Sequence, residues 1–356
     1  MFWRNILALR RRTQSFFLML LIFVLNLKII AAASSVNDPF ISGQWGWWRI
    51  NADKAYEAGY NGSGIIVAVL DTGVDEDHPD LQANIIDGWN FVDNNDNVTD
   101  LDGHGTMVTG IIAAVANNGI GIAGVACGVS IMPLKVLSSS GGSWIDLDRA
   151  IIRAADNGAK IIVMSLGGKY SLLSLATEAA IEYAYRKGCI LVAAAGNDNT
   201  SEPFYPAAYE EVIAVSAIDQ NDKKADFSNY GNYINFCAPG VDILSTWKDG
   251  NYAYGSGTSF AVPFVAGVIA LLLSKHPELS NEDVIATLQF HAEDLGEEGW
   301  DPYYGWGLID AYAAVSQTPI SEIPKLTSLI LGITITTVCI LIQKARKQRR
   351  KLEYNN

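Results

Sequence analysis

Five short runs of mostly branched apolar residues, at 65–70, 131–136, 161–164, 190–194 and 212–216, recur along the middle of the chain. Runs this short and this apolar read as strands covered on both faces, the condition of a parallel sheet. The stretches between and after them, at 105–115, 143–157, 173–186 and 259–275, carry helical patterns. Strand and helix in alternation predict an α/β fold: a doubly wound, mostly parallel sheet with helices on both faces. Ligand sites in such sheets gather at the carboxyl ends of the strands. A last helix at 280–289, the turn Gly305-Trp306-Gly307 and the segment 310–315 are expected to close the domain.

Charge divides the chain into three parts. Residues 1–28 carry five Lys/Arg and no acid, and 344–351 carry six and no acid, while the stretch between holds 14 basic residues against 37 acidic ones. An acidic body disfavours nucleic acid as a partner and favours cations such as Ca2+. At the front, Arg4 and Arg10 to Arg12 precede an apolar run at 16–25 and then Ala31-Ala32-Ala33. That order predicts a signal peptide over 1–33, with an uncleaved anchor as the alternative. At the back, a linker at 316–325 containing Pro319 and Pro324 leads to 17 uncharged residues, 326–342. At 1.5 Å per residue they reach about 26 Å, enough for a bilayer. The basic tail 343–356 should remain in the cytoplasm. The expected topology is single-pass in the cell membrane, with the body, 37–315, outside. Cys127, Cys189 and Cys237 lie in the body without framework spacing, so buried thiols and one disulfide both remain open.

Four blocks in the body carry chemistry: Leu70-Asp71-Thr72-Gly73, Asp102-Gly103-His104-Gly105, Ala195-Gly196-Asn197 and Gly257-Thr258-Ser259. Singly, each has an ordinary structural reading: a turn Asp, a Gly-His-Gly turn, a turn Asn, a serine capping a helix. Together they supply the parts that acyl transfer needs. Ser259 would be the nucleophile, presented at the start of an apolar helix whose N-terminus favours developing negative charge. His104 would take its proton and return it to the leaving amine. Asp71 would fix the imidazole tautomer, and Asn197 would donate its amide to the oxyanion beside the Ser259 N–H.

Asp, His, Ser is the order found in subtilisin. These blocks, with Ser165-Leu166-Gly167-Gly168 and Tyr205-Pro206, resemble the subtilisin-like serine proteases, thermitase-type members above all, from about residue 37 to 315. The resemblance implies a serine endopeptidase acting on proteins or peptides, and the expected C-terminal helix would tether it outside the membrane. An inactive ectodomain of the same fold, used for binding, is the alternative from another class. It implies that Ser165, Leu166 and Gly167 pair with substrate as an added strand, opposite a wall at 138–142. It implies structural Ca2+ held by Asp38, Asp80, Val115, Asn118, Ile120 and Ile122, all offering oxygen. A second site at Asp93, Asn95 and Thr99 competes with a solvated loop. Phe204 would form the floor of the specificity pocket and favour small or slim residues before the scissile bond. Met107, Phe260 and Phe264 depart from the family's usual His, Met and His. Members usually carry a prodomain, whereas a few residues separate Ala33 from Asp38 here. Calcium, a separate folding assistant or inhibitor, or the membrane is expected to replace it.

Overall fold

The computed structural model describes residues 36–170 and 174–317. The expected leader 1–33, the expected membrane helix 326–342, the basic tail and most of the linker fall outside them.

Two short helices, α1 (Trp45–Arg49) and α2 (Ala52–Glu57), precede strand β1 (Ile66–Asp71). Then come β2 (Trp89–Asn90), helix α3 (His104–Ala113), β3 (Ser130–Lys135) and the small hairpin β4 (Leu137–Ser138) and β5 (Gly141–Gly142). Helix α4 (Trp144–Asp156), β6 (Ile161–Met164), α5 (Ser174–Arg186), β7 (Ile190–Ala194), β8 (Val212–Ile218) and β9 (Ile234–Pro239) follow. The hairpin β10 (Ile243–Trp247) and β11 (Asn251–Gly255) leads into α6 (Thr258–Lys275), α7 (Asn281–His291) and α8 (Ala311–Ser316).

Seven strands form one parallel sheet in the order β2-β3-β1-β6-β7-β8-β9. Successive side chains on a strand point to opposite faces. Ala68, Leu70, Leu134, Ile162, Met164 and Leu191 accordingly share one core with Leu147 and Ile151 of α4 and Ile181 of α5. The alternate residues Val67, Val69, Val163 and Val192 are buried too, on the side where α3 and α6 pack against each other and the strands. Burial on both faces is why the strands read as continuous apolar runs.

The chain builds outward from β1 first to β3 and later to β6, so the winding reverses between β1 and β6. The carboxyl ends of those two strands therefore border the crevice where such sheets bind ligands. Asp71 is the last residue of β1 itself, and Ser165 directly follows β6. Helix α6 runs beneath the crevice. It is apolar all round, and 15 of its 18 residues are buried, which marks a core helix. It is also the one helix among the described residues long and apolar enough to cross a bilayer, and its burial assigns it to the core instead.

Most expected elements are present with ends moved by a residue or two. Ser143, Ser280 and Asp310 lie outside their helices as N-caps, each accepting a backbone N–H in the first turn. Helix α3 stops at Ala113, and the Val115 N–H turns away to the Asp80 carbonyl at 2.9 Å. Cys127, Cys189 and Cys237 are free thiols, so no disulfide joins them.

Candidate active site

Asp71 is fully buried, and its Oδ1 accepts the Thr72 N–H at 2.7 Å and lies 2.7 Å from His104 Nδ1. His104 opens helix α3, and its side chain keeps 26% of its surface accessible. Burial alone would push the imidazole down. The charge and hydrogen bond of Asp71 outweigh it, with help from Asp102 and Asp100, and the pKa of His104 is raised. Gly105 lets the two elements meet, since a Cβ there would strike the Gly73 carbonyl and come within 3.1 Å of Asp71 Cβ.

The residue that holds this corner together is Asp100, which the sequence reading did not single out. Its Oδ1 accepts from the Thr72 hydroxyl and the N–H groups of Asp102 and Gly103. Its Oδ2 accepts from both the N–H and the hydroxyl of Thr106. Burial pushes the carboxyl up, but these donors win and hold it below the usual range. The Thr72 hydroxyl in turn accepts the Gly105 N–H at 2.9 Å, so the network braces the backbone on both sides of His104. The signal was present as Asp-Leu-Asp-Gly-His, but an Asp three residues before a Gly-His reads as ordinary turn chemistry.

Ser259 is the second residue of α6. Pro263, four residues on, has no N–H to give the Ser259 carbonyl. The buried Ser165 hydroxyl fills that vacancy at 2.8 Å, and the Ser259 hydroxyl donates back to the Ser165 carbonyl at 3.1 Å. Ser259 is therefore tied to the end of β6, and no hydrogen bond joins it to His104 in this structure. The two residues nevertheless face one cleft of about 390 Å³, together with Asn197.

Asn197 lies three residues beyond β7. Its Oδ1 accepts both the N–H and the hydroxyl of Thr258, each at 2.9 Å. Two donors on one side fix the amide orientation and turn Nδ2 away from them. A Cβ placed on Gly257 would lie 3.6 Å from Asn197 Nδ2 and 3.8 Å from the Ser259 nitrogen. Neither donor has a partner among the described residues. The two therefore flank a single spot that only a glycine leaves open.

On the other side of His104 a larger cleft, about 500 Å³, runs between residues 165–169 and the β4–β5 hairpin with Leu137 and Gly142. Gly168 and Tyr205 exchange both backbone hydrogen bonds, at 2.8 and 2.9 Å. The backbone groups of Leu166 and Gly167 pair with nothing among the described residues, an open edge. The Phe204 ring lies against Gly167 and Gly196, where a Cβ on either would meet it.

The expected calcium residues also come together. Asp38 and Asp80 are 1% and 0% exposed, and among the described residues no Lys or Arg pairs with either. Asp38 accepts the N–H groups of Asn117, Asn118 and Gly119; Asp80 accepts from Ile122, Asn118 and Tyr252. Burial nevertheless pushes both carboxyls up, and the charge of Asp38 adds to the effect on Asp80. The carbonyls of Val115, Ile120 and Ile122 accept no hydrogen bond among the described residues. Two buried carboxylates short of positive charge beside idle carbonyls fit a hard cation. At the weaker site, Asp93 is occupied with Asn90, the Asn95 side chain takes the Asn97 N–H, and the Lys135 ammonium reaches the Thr99 carbonyl at 2.7 Å. A cation of the chain's own already serves that loop.

The sequence model of the Subtilase family (Peptidase_S8) matches residues 62–307. Thermitase of Thermoactinomyces vulgaris is 44% identical over 281 residues, 78% of this chain and 98% of thermitase. The thermophilic serine proteinase of Bacillus sp. (strain AK1) is 45% identical over 287 residues, 80% of this chain and 70% of that protein. Among solved structures, a protease from Pseudoalteromonas arctica PAMC 21717 superposes with a TM-score of 0.73 at 33% identity, covering 80% of this chain and 99% of that one. The chain belongs to the subtilase family and is a subtilisin-like serine endopeptidase.

Proposed function

We propose that this endopeptidase works through Asp71, His104 and Ser259, with Asn197 and the Ser259 N–H as oxyanion donors, in an ectodomain tethered by one C-terminal membrane helix. The observation that carries the catalytic part is the pair of unpartnered donors converging beside Gly257, next to the Asp71–His104 hydrogen bond. With Nδ1–H directed to Asp71, the His104 Nε2 lone pair is free to accept a proton. Rotation about χ1 would carry the Ser259 hydroxyl from the Ser165 carbonyl to Nε2; catalytic hydrogen bonds often tighten only once substrate is bound. Attack on the scissile carbonyl would place the new oxyanion between Asn197 Nδ2 and the Ser259 N–H. His104 would then protonate the departing amine and leave an acyl-enzyme for water.

Substrate would add as a strand along Leu166 and Gly167, whose idle backbone groups favour this mode. The Phe204 ring beside Gly167 and Gly196 supports a short pocket for the residue before the scissile bond. Truncating the floor with Phe204→Ala is expected to raise cleavage after Phe and Tyr relative to Ala, by roughly 10- to 200-fold. An unchanged ratio in a peptide library would remove Phe204 from that role. Asp38, Asp80 and Asn118, with the carbonyls of Val115, Ile120 and Ile122, would hold Ca2+. The ion would neutralise two buried carboxylates and pin the N-terminal segment to the loop.

A fluorophosphonate probe tests the catalytic part. Label on the parent and none on Ser259→Ala is the expected result, and equal label on both would defeat the assignment. The tether is tested by fractionation: the full chain should stay with membranes through alkaline carbonate, and a chain ending at Gln317 should not.

A further inference from the structure

Asn197 stands three residues beyond the end of β7, on a segment that is neither strand nor helix. A donor carried by a loop serves an oxyanion only if the loop is held, because the developing charge needs its partner within about 3 Å. Thr258, at the start of α6, holds the side chain. It gives its N–H and hydroxyl to Asn197 Oδ1, and its hydroxyl accepts the Gly196 N–H at 3.2 Å.

The main chain is held by a different segment, 227–230, between β8 and β9. The Asn229 N–H donates to the Gly196 carbonyl at 2.9 Å, the Asn199 N–H to the Phe227 carbonyl at 2.8 Å and the Tyr230 N–H to the Thr200 carbonyl at 3.0 Å. Asn229, 1% exposed, adds its side chain to this pairing. Its Nδ2 donates to the Ala195 carbonyl at 3.0 Å, and its Oδ1 accepts the N–H groups of Asp198 and Thr200 at 2.8 and 3.2 Å. One planar amide thus grips the chain two residues before Asn197 and one residue after it. Gly196 permits the approach: its φ is +102°, and a Cβ there would lie 2.3 Å from Asn229 Nδ2. Asn229 lines neither of the two clefts, so any influence it has on the reaction passes through Asn197.

We propose that Asn229 is the positioning residue of the oxyanion site: its amide fixes the backbone of residues 195–200 so that Asn197 Nδ2 and the Ser259 N–H converge on one point. The proposal rests on the reading of Asn197 as an oxyanion donor. An amide suits the task because it carries a donor and an acceptor rigidly in one plane, and the segment presents a carbonyl on one side and two N–H groups on the other. The Tyr233 hydroxyl also donates to the Ala195 carbonyl, at 3.0 Å. Loss of Asn229 therefore loosens the Asp198 side most, next to Asn197.

A double-mutant cycle with Asn197→Ala tests this, with every rate expressed per site that titrates with the fluorophosphonate probe. The oxyanion exists only beyond the ground state, so misplaced donors should lower kcat and leave KM within about twofold. Asn229→Ala is expected to lower kcat on the order of 10- to 100-fold in the parent. In the Asn197→Ala background, where no amide remains to be positioned, the loss should be less than about threefold. Asn229→Asp keeps the shape and the acceptor but has no donor for Ala195; it should show a smaller loss with the same dependence on background. Equal losses in both backgrounds, a loss carried by KM, or no loss would overturn the positioning role. So would failure of both Asn229 variants to take the probe, which would make Asn229 a residue of the fold alone. These results leave the donor assignment standing. An Asn197→Ala protein with the parent's kcat would overturn that assignment and the proposal with it.

Discussion

Helix α3 connects two groups of buried carboxylates that have been treated in opposite ways. Ahead of its N-terminus, Asp100 collects five donors from Thr72, Asp102, Gly103 and Thr106 and is held below the usual carboxylate range. The positive end of the helix adds to this. Beyond its C-terminus, Asp38 and Asp80 also receive N–H and O–H donors, yet both are pushed up. Asp80 feels the charge of Asp38, and no Lys or Arg pairs with either among the described residues. Hydrogen bonds complete an isolated buried carboxylate; a pair of them needs positive charge from outside the chain. The corner around His104 is finished by protein alone, whereas the N-terminal loop fits the metal proposed for it.

The comparison has its largest expected consequence at Asp71, whose partner is the imidazole. Asp71→Asn keeps the shape but reverses a donor and an acceptor, so His104 would be held in the wrong tautomer. Turnover should fall about 10⁴-fold while the fold survives. A loss under tenfold, with unchanged thermal melting, would mean that Asp71 is not what orients the base. At Asp100 the effect should be on stability. Asn at that position turns donors toward the Thr106 or Gly103 N–H, at roughly 3 kcal/mol. Because the folded pKa is depressed, the Asp100 contribution is present above its unfolded value of 3.8 and lost as pH falls through the lower folded value. Urea unfolding in a Ser259→Ala background, free of autolysis, should show that loss below pH 4 and none between pH 5 and 8.

Calcium removal probes the other half. At a hundredfold excess over Kd, a bound ion adds about 2.7 kcal/mol to the folded state. Chelation should therefore lower the melting temperature of the Ser259→Ala protein by several degrees. Asp80→Ala should melt at one temperature with and without chelator. If the parent melts alike in both, the two groups of carboxylates are not different in kind and the contrast fails.

How much of this was legible in sequence follows the same division between local and distant. The five apolar runs gave the sheet because burial on both faces leaves a composition that needs no partner to be read. β9 went unread because Asn235 and Pro239 interrupt it. The Asn235 side chain accepts the Ala214 N–H where the β8–β9 register shifts, a role fixed only by the neighbouring strand. The hairpin β10–β11 is partly exposed and hides no apolar run. Asp71, His104, Asn197 and Ser259 were legible because each sits in a short block of special composition. The tie between Ser165 and Ser259 was not: Pro263 announces a carbonyl without a donor, but nothing local says that a hydroxyl 94 residues away will supply one.

The smallest expected effect concerns Asp102, the carboxylate beside His104 that lines both clefts. Its Oδ1 takes only the His104 N–H, at 3.3 Å. After Asp71 it is the next charge that raises the imidazole. Activity requires the neutral ring, so kcat/KM should fall as pH drops through the raised pKa of His104. Asp102→Asn removes one of the charges holding that pKa up. The acid limb of the profile should move to lower pH, extending activity downward. Asp102 is partly open to solvent, so salt should screen its influence, and the displacement between parent and variant should shrink from low ionic strength to 1 M. A displacement indifferent to salt would point to altered geometry rather than charge. No displacement at any ionic strength would leave Asp71 and Asp100 as the carboxylates that set the base, with the catalytic corner closed to influence from its clefts.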